Sequence, residues 1–377
     1  MRWPMRIVSV LFAAALAPRG AGAWGAQVHA LVNRAATTHL PAEFAAFAQW
    51  ADSLEGLSVE ADARRCCDPN EAIRHYIDID DYEEFFSRTL PRTYPEMVAR
   101  FGRDRVDTIG ILPWAIESML AQLTQHFRAG DWPRAVAVAA DVGHYVADGH
   151  QPFHLTLNHD GQLTGQRGIH SRYESVLTEI YLRELAIQPG RASAYVRPVD
   201  AVFEWIERIY PGVRLVLAAD HRARRAAGGD TGNQIYYEVL WRETGDETQL
   251  WLRQASLAVA SMWLTAWFDA GSPPLPGSTP AAGAAGGLQL FPNGPNPFNA
   301  WTTLRFRVEE PGTATLRVYD VRGRIVRTLL ETDPGRGERN LSWNGRDDQD
   351  RLVASGIYLL RLEQHGRTVE RSAVLVR

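Results

Sequence analysis

The sequence predicts a mainly α domain followed by a small all-β sandwich. Three observations carry this expectation. Apolar residues recur at three- and four-residue steps from Trp24 to about Gly271, a Pro/Gly/Ala-rich stretch (GSPPLPGSTPAAGAAGG) runs from Gly271 to Gly287, and short apolar/charged alternations follow it. A period near 3.6 marks amphipathic helices, and a period of two marks half-buried strands. The stretch between them has a linker's composition.

A length of 377 residues with net charge -4 fits two or three domains. The apolar and charged fractions are those of an ordinary globular protein. Near-neutral charge excludes a broad electrostatic attraction for nucleic acid or anionic lipid.

The elements follow in order. Arg2 and Arg6, the apolar run Ile7 to Ala17, and Ala21-Gly22-Ala23 have the three parts of a signal peptide. Residues 1–23 are therefore expected to be removed and the mature chain to begin at Trp24, exported. The apolar run is too short to span a bilayer, and no later stretch is long and charge-free enough. Val28, Leu31, Val32, Ala35 and Ala36 share one helix face, and Pro41 stops that helix. Further helices are predicted over 114–127, over 135–148 behind Pro133, and over 247–268. The tryptophans of the last one are read as core. Together they form a domain over 24–271.

The only cysteines are Cys66 and Cys67. A disulfide framework is absent, and the pair reads either as buried packing or as a strained or intermolecular bond. With no second pair, it is not a zinc site. Residues 272–287 are the linker. Beyond them Leu304, Phe306 and Val308 alternate with Arg305 and Arg307. Leu316 and Val318 alternate again, and Ile357, Leu359 and Arg361 continue the style, with EEPGT and DPGRGE as turns. Residues 288–377 therefore read as a sandwich of short strands.

Five of the eleven histidines fall between Asp141 and Glu174. His144 and Asp148 are four apart on one helix face, and so are His170 and Glu174. His154 follows Pro152, which ends the first helix. A pair at this spacing can chelate one ion, and imidazole with carboxylate is a zinc-type donor set. Two pairs plus His154 exceed the needs of one zinc, so a multinuclear site is expected. His150 points off the shared face and reads as structural. Asp141 reads as a support for the ligands. Asp78 and Asp80 would orient His75 or cap a turn, and Asn158 and His159 would line the cleft.

The segment HYVADGHQPFH resembles the H-x-x-x-D-x-H-x-P-x-H signature of the zinc-dependent phospholipase C and single-strand-specific nuclease superfamily. WGAQVHALVNRAA, ADARR, EAIRHYIDID and GIHSRYE resemble other segments of that family, in the same order, so that the resemblance covers nearly all of 24–271. It implies the family's helical fold and three zinc ions. One would be held by Asp62, His75 and His144, and a second by His154, His170 and Glu174. The third would be held by the amino nitrogen and carbonyl of Trp24, with His29. Asp148 would bridge the first and third sites. Asp68 is a rival to Asp62. The resemblance also suggests that Asp62 takes a proton from the attacking water.

The chemistry expected of such a cluster is phosphodiester hydrolysis by metal-activated water, with no Ser, Cys or Lys nucleophile. Glu174, rather than Asp, points to the phospholipase branch. A nuclease would want an aromatic slot for a base, for which Tyr76, Tyr145, Phe153 and Tyr173 are candidates. A zinc-stabilised binding protein without catalysis is the third reading. The chain is read as a monomer.

NGPNPFNAWTTLRFRV, LRVYDVRGRIVRTL and LSWNGRDDQDRLVASGIYLLRL resemble the sorting domains of type IX secretion cargo and the related immunoglobulin-like flagellar hook-capping domain. The resemblance implies an immunoglobulin-like sandwich without chemistry, handled by secretion machinery.

Overall fold

The computed structural model describes residues 25–276, 288–291, 293–294 and 298–376. The expected signal peptide, Trp24 and most of the expected linker lie outside these residues. A mostly helical part is followed by a small antiparallel all-β part. In chain order the α-helices are α1 (Ala26–Ala36), α2 (Ala51–Gly56), α3 (Glu60–Arg64), α4 (Glu83–Ser87), α5 (Tyr94–Phe101), α6 (Arg103–Ile109) and α7 (Leu112–Ala129). They continue as α8 (Trp132–Asp148), α9 (Ile169–Ser171), α10 (Thr178–Ile180), α11 (Pro198–Ile209), α12 (Gly212–Ala226) and α13 (Gln234–Asp269). A π-helical segment, Arg172–Leu177, joins α9 to α10.

Helix α8 is the axis of the helical part. Pro133 stands in its first turn, where a missing N–H costs nothing. The Asp131 carboxylate accepts the Arg134 N–H at 3.4 Å and caps its start. From Ala139 to Asp148 every residue is buried, as for a helix packed on all sides. Helices α1, α2, α7 and α13 surround it.

The closest approach, of α1 to α8, is made at Gly143. The Asn33 side chain of α1 donates to Leu54 O and Ala140 O, each at 3.1 Å. A β-carbon at Gly143 would stand 1.7 Å from Asn33 Oδ1. Because position 143 is bare, the His29 ring stacks on the His144 ring, with centroids 3.9 Å apart.

Helix α13 starts well before the predicted 247. Asn233 caps it, its side chain accepting the Tyr236 N–H, and the polar first half hid the continuation. Gly245 interrupts that half in sequence but packs its bare face on Trp241. Trp251, Trp263 and Trp267 are core residues, as read from the sequence. Cys66 and Cys67 are exposed and bonded to each other. This overturns the buried-packing reading, because the turn after α3 faces solvent.

The C-terminal strands are β1 (Gln289–Leu290), β2 (Thr302–Val308), β3 (Ala314–Tyr319), β4 (Ile325–Thr332), β5 (Gly337–Trp343), β6 (Gly356–Gln364) and β7 (Arg367–Leu375). They form two sheets, β1-β2-β5 and β4-β3-β6-β7, around their own core. Leu304, Phe306 and Val308 point inward as expected. In β6 the facing is the opposite of the predicted one: Ile357 is exposed, while Tyr358, Leu360 and Leu362 are buried. The apolar run from Ile357 to Leu360 leaves the face undecided in sequence. Pairing of Leu316 with Leu362 and of Val318 with Leu360 decides it.

Gly143→Ala is expected to lower the unfolding free energy by about 1–3 kcal/mol through overpacking against Asn33. Urea titration measures this, with an unchanged midpoint arguing against the close approach.

Candidate metal centre

Histidines and carboxylates from six regions of chain converge at the C-terminal end of α8. His29 comes from α1, Asp62 from α3, His75 from the turn after Ala72–Arg74, and His144 and Asp148 from α8. His154 closes the short Pro152–His154 turn, with His170 and Glu174 on α9 and the π-segment. Three groups of donor atoms each lie within 4.8 Å: His29/Asp62/His144, His75/His144/Asp148 and His154/His170/Glu174. Trp24 lies outside the described residues. The third group has the membership that the resemblance implied for the second zinc. The other two share His144; Asp62 falls in the group with His29, and its carboxylate also stands 3.7 Å from His75 and 3.8 Å from His144.

Asp148 is fully buried, and four imidazoles face it. The distances are 3.0 Å to His75 Nδ1, 3.4 Å to His144 Nε2, 3.4 Å to His29 Nε2 and 3.8 Å to His154 Nδ1. Burial alone would favour its neutral acid, but His144, His154, His75 and His29 hold its carboxyl well below the usual range. Burial lowers His29, reinforced by His144. Burial also opposes charge on His154, yet Asp148 and Glu174 outweigh it and raise that histidine to about 9. His75 is raised too, because Asp148 and Glu71 overcome its burial.

The far side of three of the rings is fixed by the fold. His144 Nδ1 donates to Ser58 O at 2.7 Å, and His154 Nδ1 to His75 O at 2.6 Å. Backbone acceptors of this kind set the tautomer and turn the other nitrogen toward the centre. His75 Nε2 lies 3.4 Å from Glu71 Oε1. Glu71 is buried and accepts a hydrogen bond from the Tyr145 hydroxyl. Burial opposes its charge, but His75, Tyr145 and Arg64 pull its carboxyl down to about 2. Gln151 uses its oxygen to accept the Phe153 N–H at 2.6 Å and its nitrogen to donate to Glu174 Oε2 at 2.8 Å. That leaves Glu174 Oε1 free of any hydrogen bond.

Glu71 and Gln151 were missed in the sequence. Glu71 stands four residues before His75 and was legible as an i,i+4 pair; Gln151 sits inside the histidine motif. Several expected supports go elsewhere. Asp80 accepts from Thr156 Oγ1 and Leu157 N, and so fixes the chain after His154 rather than His75. Among the described residues His75 pairs with Glu71, Asp62 and Asp148, and Asp78 forms no ion pair with it. Burial, then Asp80 and Asp81, raise the Asp78 carboxyl to about 7. Asp141 pairs with Arg64 at 3.0 Å. Asp68, the rival to Asp62, caps Asn70 N instead. Asn158 is buried and ties its own loop at Leu163 N, while the exposed His159 ring stands 6.5 Å from His170. His150 donates to Val146 O, a structural role as read. Tyr145, Phe153 and Tyr173 are fully buried, which removes them from any base-stacking slot. Tyr76 alone of the four keeps an accessible ring.

Most buried polar side-chain atoms that lack a hydrogen bond among the described residues sit on this cluster. They are both nitrogens of His29, Nε2 of His75, His154 and His170, Asp148 Oδ1 and Glu174 Oε1. Unsatisfied buried donors and acceptors are costly, and concentrating them in one place is what a bound cation would relieve. Histidine nitrogens with carboxylate oxygens suit zinc. Asp62 and His170 keep side-chain exposures of 24% and 14%, so one edge of the cluster meets solvent.

The model of the FlgD Ig-like domain matches residues 299–367, from just before β2 through β6. Among solved structures, the chain is similar to alpha-toxin of Clostridium perfringens isolated from avian strain SWCP, at 11% identity and TM-score 0.42, covering 94% of this chain and 98% of that one. It is similar also to the alpha toxin from Clostridium absonum, at 9% identity and TM-score 0.42, covering 94% and 99%. No curated protein matches the sequence. The small β part thus carries the Ig-like likeness expected of a hook-capping domain.

Proposed function

We propose that the chain is an exported zinc-dependent phosphodiester hydrolase of the phospholipase C type, with three zinc ions held around Asp148. The observation that carries this reading is the concentration of buried nitrogens and oxygens without a hydrogen bond, facing one another only as imidazole–carboxylate pairs, on His29, His75, Asp148, His154, His170 and Glu174. In this reading Asp62, His75, His144 and Asp148 hold one ion. His154, His170 and Glu174 hold a second, and Trp24, His29 and Asp148 the third. Bound zinc would supply an activated water and would neutralise charge building on phosphorus oxygens. The chain's own residues would do the rest. Ser58 O, His75 O and Glu71 orient the imidazoles, and Gln151 orients Glu174. Asp62, which keeps some exposure to solvent, would take a proton from a water entering there.

The accessible edge supports catalysis over a purely structural role, since structural zinc sites are closed. Phospholipid is favoured over nucleic acid because three of the four rings suggested for base stacking are buried. Offering phosphatidylcholine, single-stranded DNA and a small aryl phosphodiester to the zinc-loaded protein separates the readings. Turnover of DNA alone would mean the nuclease, and turnover of none would mean a binding protein.

In the same proposal residues 1–23 are a signal peptide, 24–271 the hydrolase, 272–287 a linker and 288–377 a sorting domain for type IX secretion. The mature chain works at or beyond the cell surface as a monomer. Among the described residues no helix is long and apolar enough to cross a membrane.

Metal analysis of protein beginning at Trp24 is expected to give about three zinc ions per chain. Asp148→Asn should lose more than one of them, because that carboxylate serves two sites; loss of none would contradict the bridge.

Zinc loading should release protons at pH 7. Without metal, His154 is raised to about 9 and carries a proton that the ion must displace. Affinity should therefore climb with pH until about 9. Calorimetry in buffers of differing ionisation enthalpy measures the release, and zero release would contradict the charge balance described.

Deleting residues 288–377 should leave zinc content and hydrolysis intact and abolish surface delivery in the native host. Normal delivery of the truncated chain would remove the sorting role.

A further inference from the structure

His170 sits in the short helix α9, and Glu174 in the π-helical segment Arg172–Leu177 that follows it. The π-helix is a rare form, found mostly as single turns and frequently at functional sites. The segment follows a long irregular loop, and among the described residues Gln151 is the one side chain from outside the cluster that donates to its carboxylate. The anchor lies on the opposite side of the segment. Arg172 is two residues from each ligand, so on a helical turn it points away from the metal side.

Arg172 reaches a second buried carboxylate, Asp220 of α12, which is fully enclosed. Asp220 Oδ2 accepts from Gln166 Nε2 at 2.7 Å and from Arg224 Nε at 2.8 Å. Its Oδ1 accepts from Arg172 Nη2 at 3.3 Å and from the Tyr236 hydroxyl. Arg172 uses its remaining donors on Tyr236 Oη at 3.0 Å, Arg167 O at 3.1 Å and Gln166 O at 3.2 Å. The loop, the π-segment, α12 and α13 thus meet at one carboxylate. Gly168 fits this arrangement. It has φ of +86°, and a β-carbon there would stand 2.6 Å from Arg172 Nη1.

We infer that Asp220 is a positioning residue for the His154/His170/Glu174 metal site. It acts through Arg172 and Gln166 and touches neither the metal nor the substrate. The inference rests on the reading of those three residues as metal ligands. Four donors on one buried carboxylate fix the backbone at Gln166 and Arg172, and through it the separation and direction of the two ligands beyond. Supports of metal ligands characteristically change affinity about 10- to 100-fold when altered.

The test uses full-length protein processed at Trp24, loaded with zinc and then challenged with a graded chelator. Asp220→Asn keeps the shape but turns one acceptor into a donor facing Gln166 and Arg224 or Arg172. Arg172→Lys keeps the charge beside Asp220 and loses the fork that reaches the loop carbonyls, so it guards against a folding failure of the first variant. His170→Ala marks what loss of this one site looks like. Both variants should give up one ion at about tenfold or more lower chelator concentration than the parent, in the pattern of His170→Ala, while the ions around Asp148 are released as in the parent. Cobalt substituted for zinc should lose the same fraction of its visible absorption. Parental release of every ion from the Arg172→Lys protein would overturn the inference, as would equal weakening of all sites. A parent protein that binds no zinc would instead overturn the metal reading itself.

Discussion

A carboxylate with no access to water, ringed by four imidazoles, sets the terms for the rest of the helical part. Asp148 cannot shed its charge cheaply, because the histidines stabilise it. The histidines cannot all carry protons, because they stand against one another and share that one carboxylate. His75 and His154 are pushed toward the protonated form and His29 away from it. Protons on such a cluster are stand-ins for cations. A divalent ion at the same place serves several donors at once, which a proton cannot do.

The fold is arranged to keep this group together. Helix α8 brings His144 and Asp148 to the middle of the molecule. The bare face at Gly143 lets α1 lay His29 on His144. Backbone carbonyls of Ser58 and His75 turn two of the rings. Each of these contacts joins residues far apart in sequence, so the centre also ties α1, α3, the 71–81 chain and α8 to one another. If ions occupy it, their binding energy adds to the stability of the folded chain.

The sequence revealed more of the ligands than of what holds them. Pairs at i,i+4, such as His144/Asp148 and His170/Glu174, follow from helical period alone. Their supports are set by tertiary contact. Glu71 does stand four before His75, but in a turn rather than in a regular helix, and Gln151 is recognisable only once Glu174 is seen across from it. Aspartates near a histidine in sequence misled for the same reason: Asp80 turns to Thr156, and Asp141 to Arg64. The β part follows a similar logic. Alternation with charged residues placed β2 correctly, whereas the unbroken apolar run in β6 carried no facing until β3 paired with it. The bond between Cys66 and Cys67 could not be read from adjacency, which argues against pairing unless the local turn is known.

The most direct test of the account is the location of metal in crystals of the processed protein by anomalous scattering at the zinc edge. The account predicts separate peaks on either side of Asp148 and a further peak among His154, His170 and Glu174, with the Nε2 of His29, His144, His154 and His170 turned toward them. Density without anomalous signal, in which these nitrogens are hydrogen-bonded to water or to one another, would contradict it.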